Sequence, residues 1–338
     1  MPKIGAYVAI AVLGAAIFSP PPAAAFSFHF GPFHIGFPFF RHRHHHLYVR
    51  GNPNVVARLE PVQPAQGVTS ALLYPSLALP AIFQNVFWPA YASPWPFGYQ
   101  AIFTTAFAKA PPAQDPRLCQ QPPFDADAIV GRLRAKIAPT AAQMQLLQRL
   151  GGALGAASGY LAKSCPNEIP SQPIARLQLM ESQIEELAMA LDMARQPLQD
   201  FEQSLSPSQQ ARFAAETAPQ TVADQQNAPD DVTAGCGGAA TAINWSIDQI
   251  YQSVQPTDDQ RDAFSDVKQA FGKAATDLEA HCPISVPPTA LARLEAIEGR
   301  LDSTWRAVLS IQVALAHFEP KLSDEQKARF DAMNFAAR

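Results

Sequence analysis

His42-Arg43-His44-His45-His46, with His29 and His34 upstream, is the group whose types and spacing fit a metal ion. Neutral imidazoles suit Zn, Cu and Ni, and histidines clustered on a flexible tract can gather such an ion without a preformed site. Arg41 and Arg43 oppose a cation, so the competing reading is a solvated, weakly basic tail. His281-Cys282 places an imidazole beside a thiol, as an activated nucleophile requires. The favoured reading is a disulfide cysteine with an incidental neighbour, because Ser164 precedes the matching Cys165. Glu181, Glu185 and Glu186 fall at helical turn spacing. Acid–base work by such a set needs a pocket that raises one pKa, and a solvated helical face is the expectation. There is no HExxH, P-loop, dinucleotide fingerprint or nucleophile elbow. The chain reads as a non-enzyme with no required cofactor; Zn, Cu or Ni would enter only through His42, His44, His45 and His46.

The elements that position these residues come from a gapless repeat of about 117 residues. Cys119 and Cys165 recur as Cys236 and Cys282, and Ala175-Arg176-Leu177 recurs as Ala292-Arg293-Leu294. Leu205-Ser206-x-x-Gln209-x-Ala211-Arg212-Phe213 recurs as Leu322-Ser323-x-x-Gln326-x-Ala328-Arg329-Phe330. Four segments place Ser or Thr three residues before Gln: Thr140/Gln143, Ser206/Gln209, Thr257/Gln260 and Ser323/Gln326. That is a capping box, in which the hydroxyl and the amide each satisfy a backbone N–H at a helix start. Pro207 at a first helical position and Asp258, Asp259, Asp324 and Glu325 in first turns agree with it.

Apolar residues spaced three and four apart extend the argument. Phe264, Val267, Phe271, Ala274 and Leu278 form one stripe. Leu291, Leu294, Ile297, Leu301, Trp305, Val308, Leu315 and Phe318 form a second, matched in the first repeat by Leu177, Ile184, Leu187, Leu191, Leu198 and Phe201. Pro197 predicts a kink or early end there. The fold class is all-α: two tandem four-helix units, 117–217 and 233–338, joined by a polar linker at 218–232.

The ends and bulk composition narrow the class further. Lys3, an apolar stretch over residues 4–18 and Ala23-Ala24-Ala25 have the layout of a cleavable signal peptide over 1–25. Export makes four cysteines read as two disulfides. Three pairings are open, and the repeat favours Cys119–Cys165 and Cys236–Cys282. Each would close a loop of roughly 45 residues, worth about 4 kcal/mol in the chain-entropy model. Free buried thiols are the alternative. Residues 26–116 read as a largely irregular, low-complexity region rich in Phe, His and Pro. Its stretch 61–108 has no charged side chain and is broken by prolines at 75, 80, 89, 94 and 96. Such apolar material must be shielded from water; packing on the helical units or self-association is favoured over membrane contact. Net charge is −4, and no basic stripe marks a nucleic-acid surface.

The segments LSPSQQARF and LSDEQKARFDAMN resemble the LTxxQ motif of Spy/CpxP-type periplasmic proteins, with serine in place of threonine. The resemblance spans 117–338, and NVFWPAYASPWPFGYQAIF is similar to the tract before such units in tandem, rhizobial-type members. It implies an all-helical periplasmic protein, often a homodimer with a cradle shape, that binds unfolded or misfolded envelope proteins under stress. Metal binding and a sensor-kinase partner are further properties it implies. The best-known members are single, disulfide-free units, so no client surface transfers residue by residue. The alternatives are a metal-binding sensor or buffer and a structural envelope protein.

Overall fold

The computed structural model describes residues 72–87, 102, 106–107, 125–216, 239–281 and 287–333. Residues 61–338 belong to one compact unit. Helices dominate the described residues, and no strand occurs among them. In chain order they are α1 (Pro75–Phe87), α2 (Ala126–Ile137), α3 (Ala141–Lys163), α4 (Pro173–Ser204) and α5 (Pro207–Glu216). The second repeat supplies α6 (Ala239–Val254), α7 (Arg261–Ala280), α8 (Ala290–Phe318) and α9 (Asp324–Asp331). A 3-10 turn at Asp258–Gln260 opens α7, and another at Glu319–Lys321 follows α8.

Each repeat is assembled the same way. The long helices α3 and α4 pack together, as do α7 and α8; α2 and α6 lie against α3 and α7, and the short α5 and α9 against α2 and α6. The predicted stripes are the buried faces. Leu177, Ile184, Leu187, Leu191, Leu198 and Phe201 turn inward on α4, and Phe264, Val267, Phe271, Ala274 and Leu278 on α7. Burying each large apolar side chain contributes about 1.5–3 kcal/mol. Pro197 does not end α4, which continues to Ser204. The bond it deletes is confined to the last turns of a helix whose inner face is packed along its length.

The two repeats meet through α4 and α8, which run antiparallel: Glu185 reaches Trp305, Arg195 reaches Glu298, and Glu202 reaches the start of α8. The Glu202 carboxylate accepts from the Ala290 and Leu291 N–H groups at 2.9 and 3.2 Å, so one repeat caps a long helix of the other. Arg195 bonds Glu298 closely and lies 3.7 Å from Glu295.

Within the largely irregular reading of 26–116, the uncharged stretch holds one helix, Pro75–Phe87, with Pro75 at its start and Pro80 inside it. Leu79, Ile82, Phe83, Val86 and Phe87 are at most 1% exposed, and α1 packs on α8, α4 and α3. Packing on the helical units is therefore where the described part of 61–108 puts its apolar surface. Phe107 meets Phe330 edge-on, with ring centroids 5.9 Å apart. Buried Arg293 holds α1 in place, its Nε donating to the Val86 carbonyl at 2.7 Å and Nη1 to the Pro287 and Pro288 carbonyls at 3.1 Å. Burial lowers its pKa to about 10, so it stays charged at neutral pH. Arg300, also buried, donates to the Leu278 carbonyl near the negative end of α7. No helix among the described residues is long and apolar enough to cross a membrane.

Candidate functional site

The four capping boxes do not act singly. In the first repeat Gln143 Nε2 donates to Gln209 Oε1 at 2.8 Å, and Gln209 Nε2 donates back to Gln143 Oε1 at 2.8 Å. Each carbonyl also accepts its own cap residue's N–H, Thr140 or Ser206, at 2.9 Å. The second amide hydrogens go to the Ser204 carbonyl at 2.7 Å and, at the 3.5 Å limit, to the Ala138 carbonyl. The second repeat builds the same clasp. Gln260 and Gln326 bond each other at 2.9 and 3.0 Å, and their carbonyls accept from Thr257 and Ser323 N–H at 3.0 and 2.8 Å. Gln260 also donates to the Lys321 carbonyl at 2.6 Å, and Gln326 to the Val254 carbonyl at 3.2 Å.

This geometry explains why the motif needs glutamine. Only a primary amide offers two donors and an acceptor in one plane. Glutamate would place carboxylate oxygens face to face and remove both donors. The hydroxyls complete the boxes: Thr140, Ser206 and Ser323 accept from the glutamine N–H three residues on, at 3.3, 3.3 and 3.2 Å. At Thr257 the first turn is 3-10, and Gln260 N–H bonds the Thr257 carbonyl at 3.0 Å. A cap of this kind stabilises its helix by about 1 kcal/mol.

The other motif residues serve the same joint. Arg212 Nη2 donates to the Ile137 carbonyl at 3.1 Å, and Arg329 Nε to the Ser253 carbonyl at 2.9 Å, so each arginine caps the end of α2 or α6. Those helices end on left-handed residues at matching positions, Ala138 and Gln255, both with φ 51°. Leu205 and Leu322 are buried, as are Phe213 and Phe330. Phe213 meets Phe201 edge-on at 6.2 Å. The motif thus joins three helix ends per repeat. Its four glutamines are 6–8% exposed and offer nothing to an outside ligand.

Other sequence candidates separate. Glu181 and Glu185 do not lie on a freely solvated face. Burial and the neighbouring Glu185 charge raise the Glu181 pKa to about 7. Burial also raises that of Glu185, partly offset by the bond it accepts from Trp305 Nε1 at 2.9 Å. Glu186 accepts from Ser164 Oγ at 3.0 Å. His281 is exposed, its Nδ1 2.7 Å from the Asp277 carbonyl. Cys165 is disulfide-bonded; its partner, like the pairing of Cys119, Cys236 and Cys282, lies outside the described residues. His42, His44, His45 and His46 and the stretches 1–25 and 218–232, read from the sequence as a signal peptide and a linker, also lie outside them. Among the described residues no group of His, Cys, Asp or Glu could hold a metal ion.

What the described surface leaves open to a partner is small. Its exposed large apolar side chains are Met189, Met193, Tyr251 and Val313. Val313 borders an open groove of about 320 Å³ between α7 and α8, lined by Lys273, Asp277, Arg306, Leu309, Ser310 and Val313. The repeat carries Arg306 and Ser310 onto Met189 and Met193, and Asp277 onto Tyr160. Three of the four exposed apolar side chains therefore fall on corresponding outer faces, α3/α4 in one repeat and α7/α8 in the other. Sequence reasoning missed these methionines because stripes were read for what they bury.

The profile of the LTXXQ motif family matches residues 127–217 and 242–334, more than half of the chain. The chain belongs to the LTXXQ motif family. Both matched stretches contain a complete clasp, so in this LTXXQ protein the family motif marks the joint that holds each repeat together. No curated protein and no solved structure matches the chain.

Proposed function

We propose that this LTXXQ protein is a non-enzymatic, exported protein that holds unfolded or misfolded envelope proteins on the outer faces of its two helical repeats. The observation that carries the reading is the placement of Met189 and Met193 on one repeat and Val313 on the matching face of the other. Val313 is rimmed by Lys273, Asp277 and Arg306, and an apolar surface bordered by charge suits chain segments held without sequence selection. Methionine adds an adaptable, polarizable surface. The resemblance to Spy/CpxP-type proteins implies the same activity and a periplasmic location. The clasps hold the scaffold, and the disulfides proposed for Cys119–Cys165 and Cys236–Cys282 would staple it.

The test is light scattering from an aggregating client with the full, disulfide-intact protein titrated in. Suppression near stoichiometric ratios is expected, and the combined variant Met189→Lys, Met193→Lys and Val313→Lys should lose most of it while keeping its helical circular dichroism. No suppression at excess protein, with or without Zn, Cu or Ni, sinks the reading. Suppression that the triple variant retains in full moves the surface elsewhere.

A further inference from the structure

We propose that Met189 and Met193 form a methionine-oxidation site that takes hydroperoxides as its co-substrate. The first observation is selectivity of access. Among the described methionines, Met189 and Met193 are 53% and 38% exposed, Met180 and Met333 are 0% and 5% exposed, and Met144 is partly buried against the core. Oxidation needs an approach to the sulfur lone pair, so the fold itself separates reactive from protected thioethers. The second is placement. Met189 and Met193 stand one turn apart on the outer face of α4, opposite a fully packed inner face of Ala190, Leu191 and Ala194. The third is the neighbour from α3: Tyr160 Oη donates to Met189 Sδ at 3.5 Å. Burial and a side-chain hydrogen bond to the Glu186 carboxylate raise the Tyr160 pKa to about 12, so its one phenol proton is shared between Glu186 and Met189. A sulfoxide oxygen is a stronger acceptor than a thioether and competes better for that proton. The fourth is the repeat, which places Arg306 and Ser310 at the corresponding positions. Surface sulfur there is no requirement of the fold.

The chemistry balances with the hydroperoxide alone. The thioether lone pair attacks the outer peroxide oxygen, the S–O bond forms and the O–O bond breaks. The sulfur loses two electrons to give the sulfoxide, and the peroxide is reduced to water or an alcohol after proton transfer. The product puts a polar oxygen on two of the four exposed large apolar side chains and leaves the buried face of α4 intact. If these faces hold clients as proposed above, oxidation reduces that holding in the first repeat only.

The test is peptide mapping by mass spectrometry over a time course of hydrogen peroxide treatment of the full, disulfide-intact protein. Met189 and Met193 should form sulfoxide on the order of tenfold faster than Met180 and Met333, with helical circular dichroism unchanged. Methionine sulfoxide reductases should return both to thioether. In urea the difference among these methionines and Met144 should vanish. Equal rates in the folded protein overturn the proposal, as does oxidation at Met189 and Met193 that appears only after the helices are lost. The map reads sulfur chemistry alone, so its outcome is independent of whether the chain holds clients.

Discussion

The two repeats agree in their interior joint and differ on their faces. The clasps correspond residue for residue in their hydrogen bonds and turns: Gln143 with Gln260, Gln209 with Gln326, Arg212 with Arg329, and the left-handed Ala138 with Gln255. The shared face between repeats is not symmetric. The repeat carries Arg195 onto Gln312 and Glu298 onto Glu181. Arg195 and Glu298 form an ion pair, while Gln312 Oε1 is buried without a partner and Glu181 carries a raised pKa. What duplication left unchanged is the set that terminates and joins helices; what diverged is the surface each copy presents to its twin and to solvent.

The largest expected effect comes from breaking the shared part. Gln143→Glu buries a carboxylate against Gln209 and strips the Ser204 carbonyl of its donor; a loss of about 3–5 kcal/mol in urea unfolding is expected. Gln260→Glu should cost about as much. A large effect in one repeat and none in the other would end the claim of equivalence.

The asymmetric face comes next. Arg195→Met leaves Glu298 short of a cation in a partly buried place, at a cost of about 1–2 kcal/mol by the same measurement. Gln312→Met removes an amide whose oxygen has no partner, so it should be neutral or slightly stabilising. Equal losses at the two positions would restore the symmetry that the structure lacks.

Glu181 adds a pH dependence of known sign. Its folded pKa, about 7, lies above the ordinary carboxyl value of 4.5, so the folded state holds the proton more tightly than the unfolded chain. The stability from this group is complete below the unfolded value and is lost as pH rises through 7. Glu181→Gln should flatten the stability profile between those limits and raise stability at pH 8, measured by urea titration across pH. A steeper profile in the variant would reverse the assignment.

The smallest effect concerns helix approach. A Cβ on Gly151 of α3 would meet Val130 Cγ2 of α2 at 2.6 Å. Gly151→Ala should cost about 1 kcal/mol, less if the valine rotates. The matching Lys268 instead lies over the Phe264 ring, 5.0 Å from its centroid, and Lys268→Ala should be milder still in thermal unfolding.

Much of this was legible beforehand because it is local. Capping boxes, proline positions and apolar spacing act over three or four residues, and they located α3, α5, α7 and α9 at their first turns. The pairing of boxes was not read, although their 66-residue spacing recurs in both repeats. Nothing in one box says that its glutamine has hydrogen-bonding capacity left for another. Helix α1 was hidden by its prolines: Pro75 and Pro80 look like breaks, but Pro75 costs nothing at a helix start and burial of Phe83 and Phe87 outweighs the bond lost at Pro80. Glu181 and Glu185 looked solvated because a carboxylate's burial depends on a partner helix more than 100 residues away in the chain.

In each repeat the clasp is a coupled pair of amides. A double-mutant cycle of Gln143→Leu and Gln209→Leu, read by urea unfolding, tests it directly. The prediction is a coupling of about 1–3 kcal/mol, with the double variant far less damaged than the two single losses added together. Strict additivity would show that the two glutamines cap their helices independently, and the joint described for both repeats would be wrong.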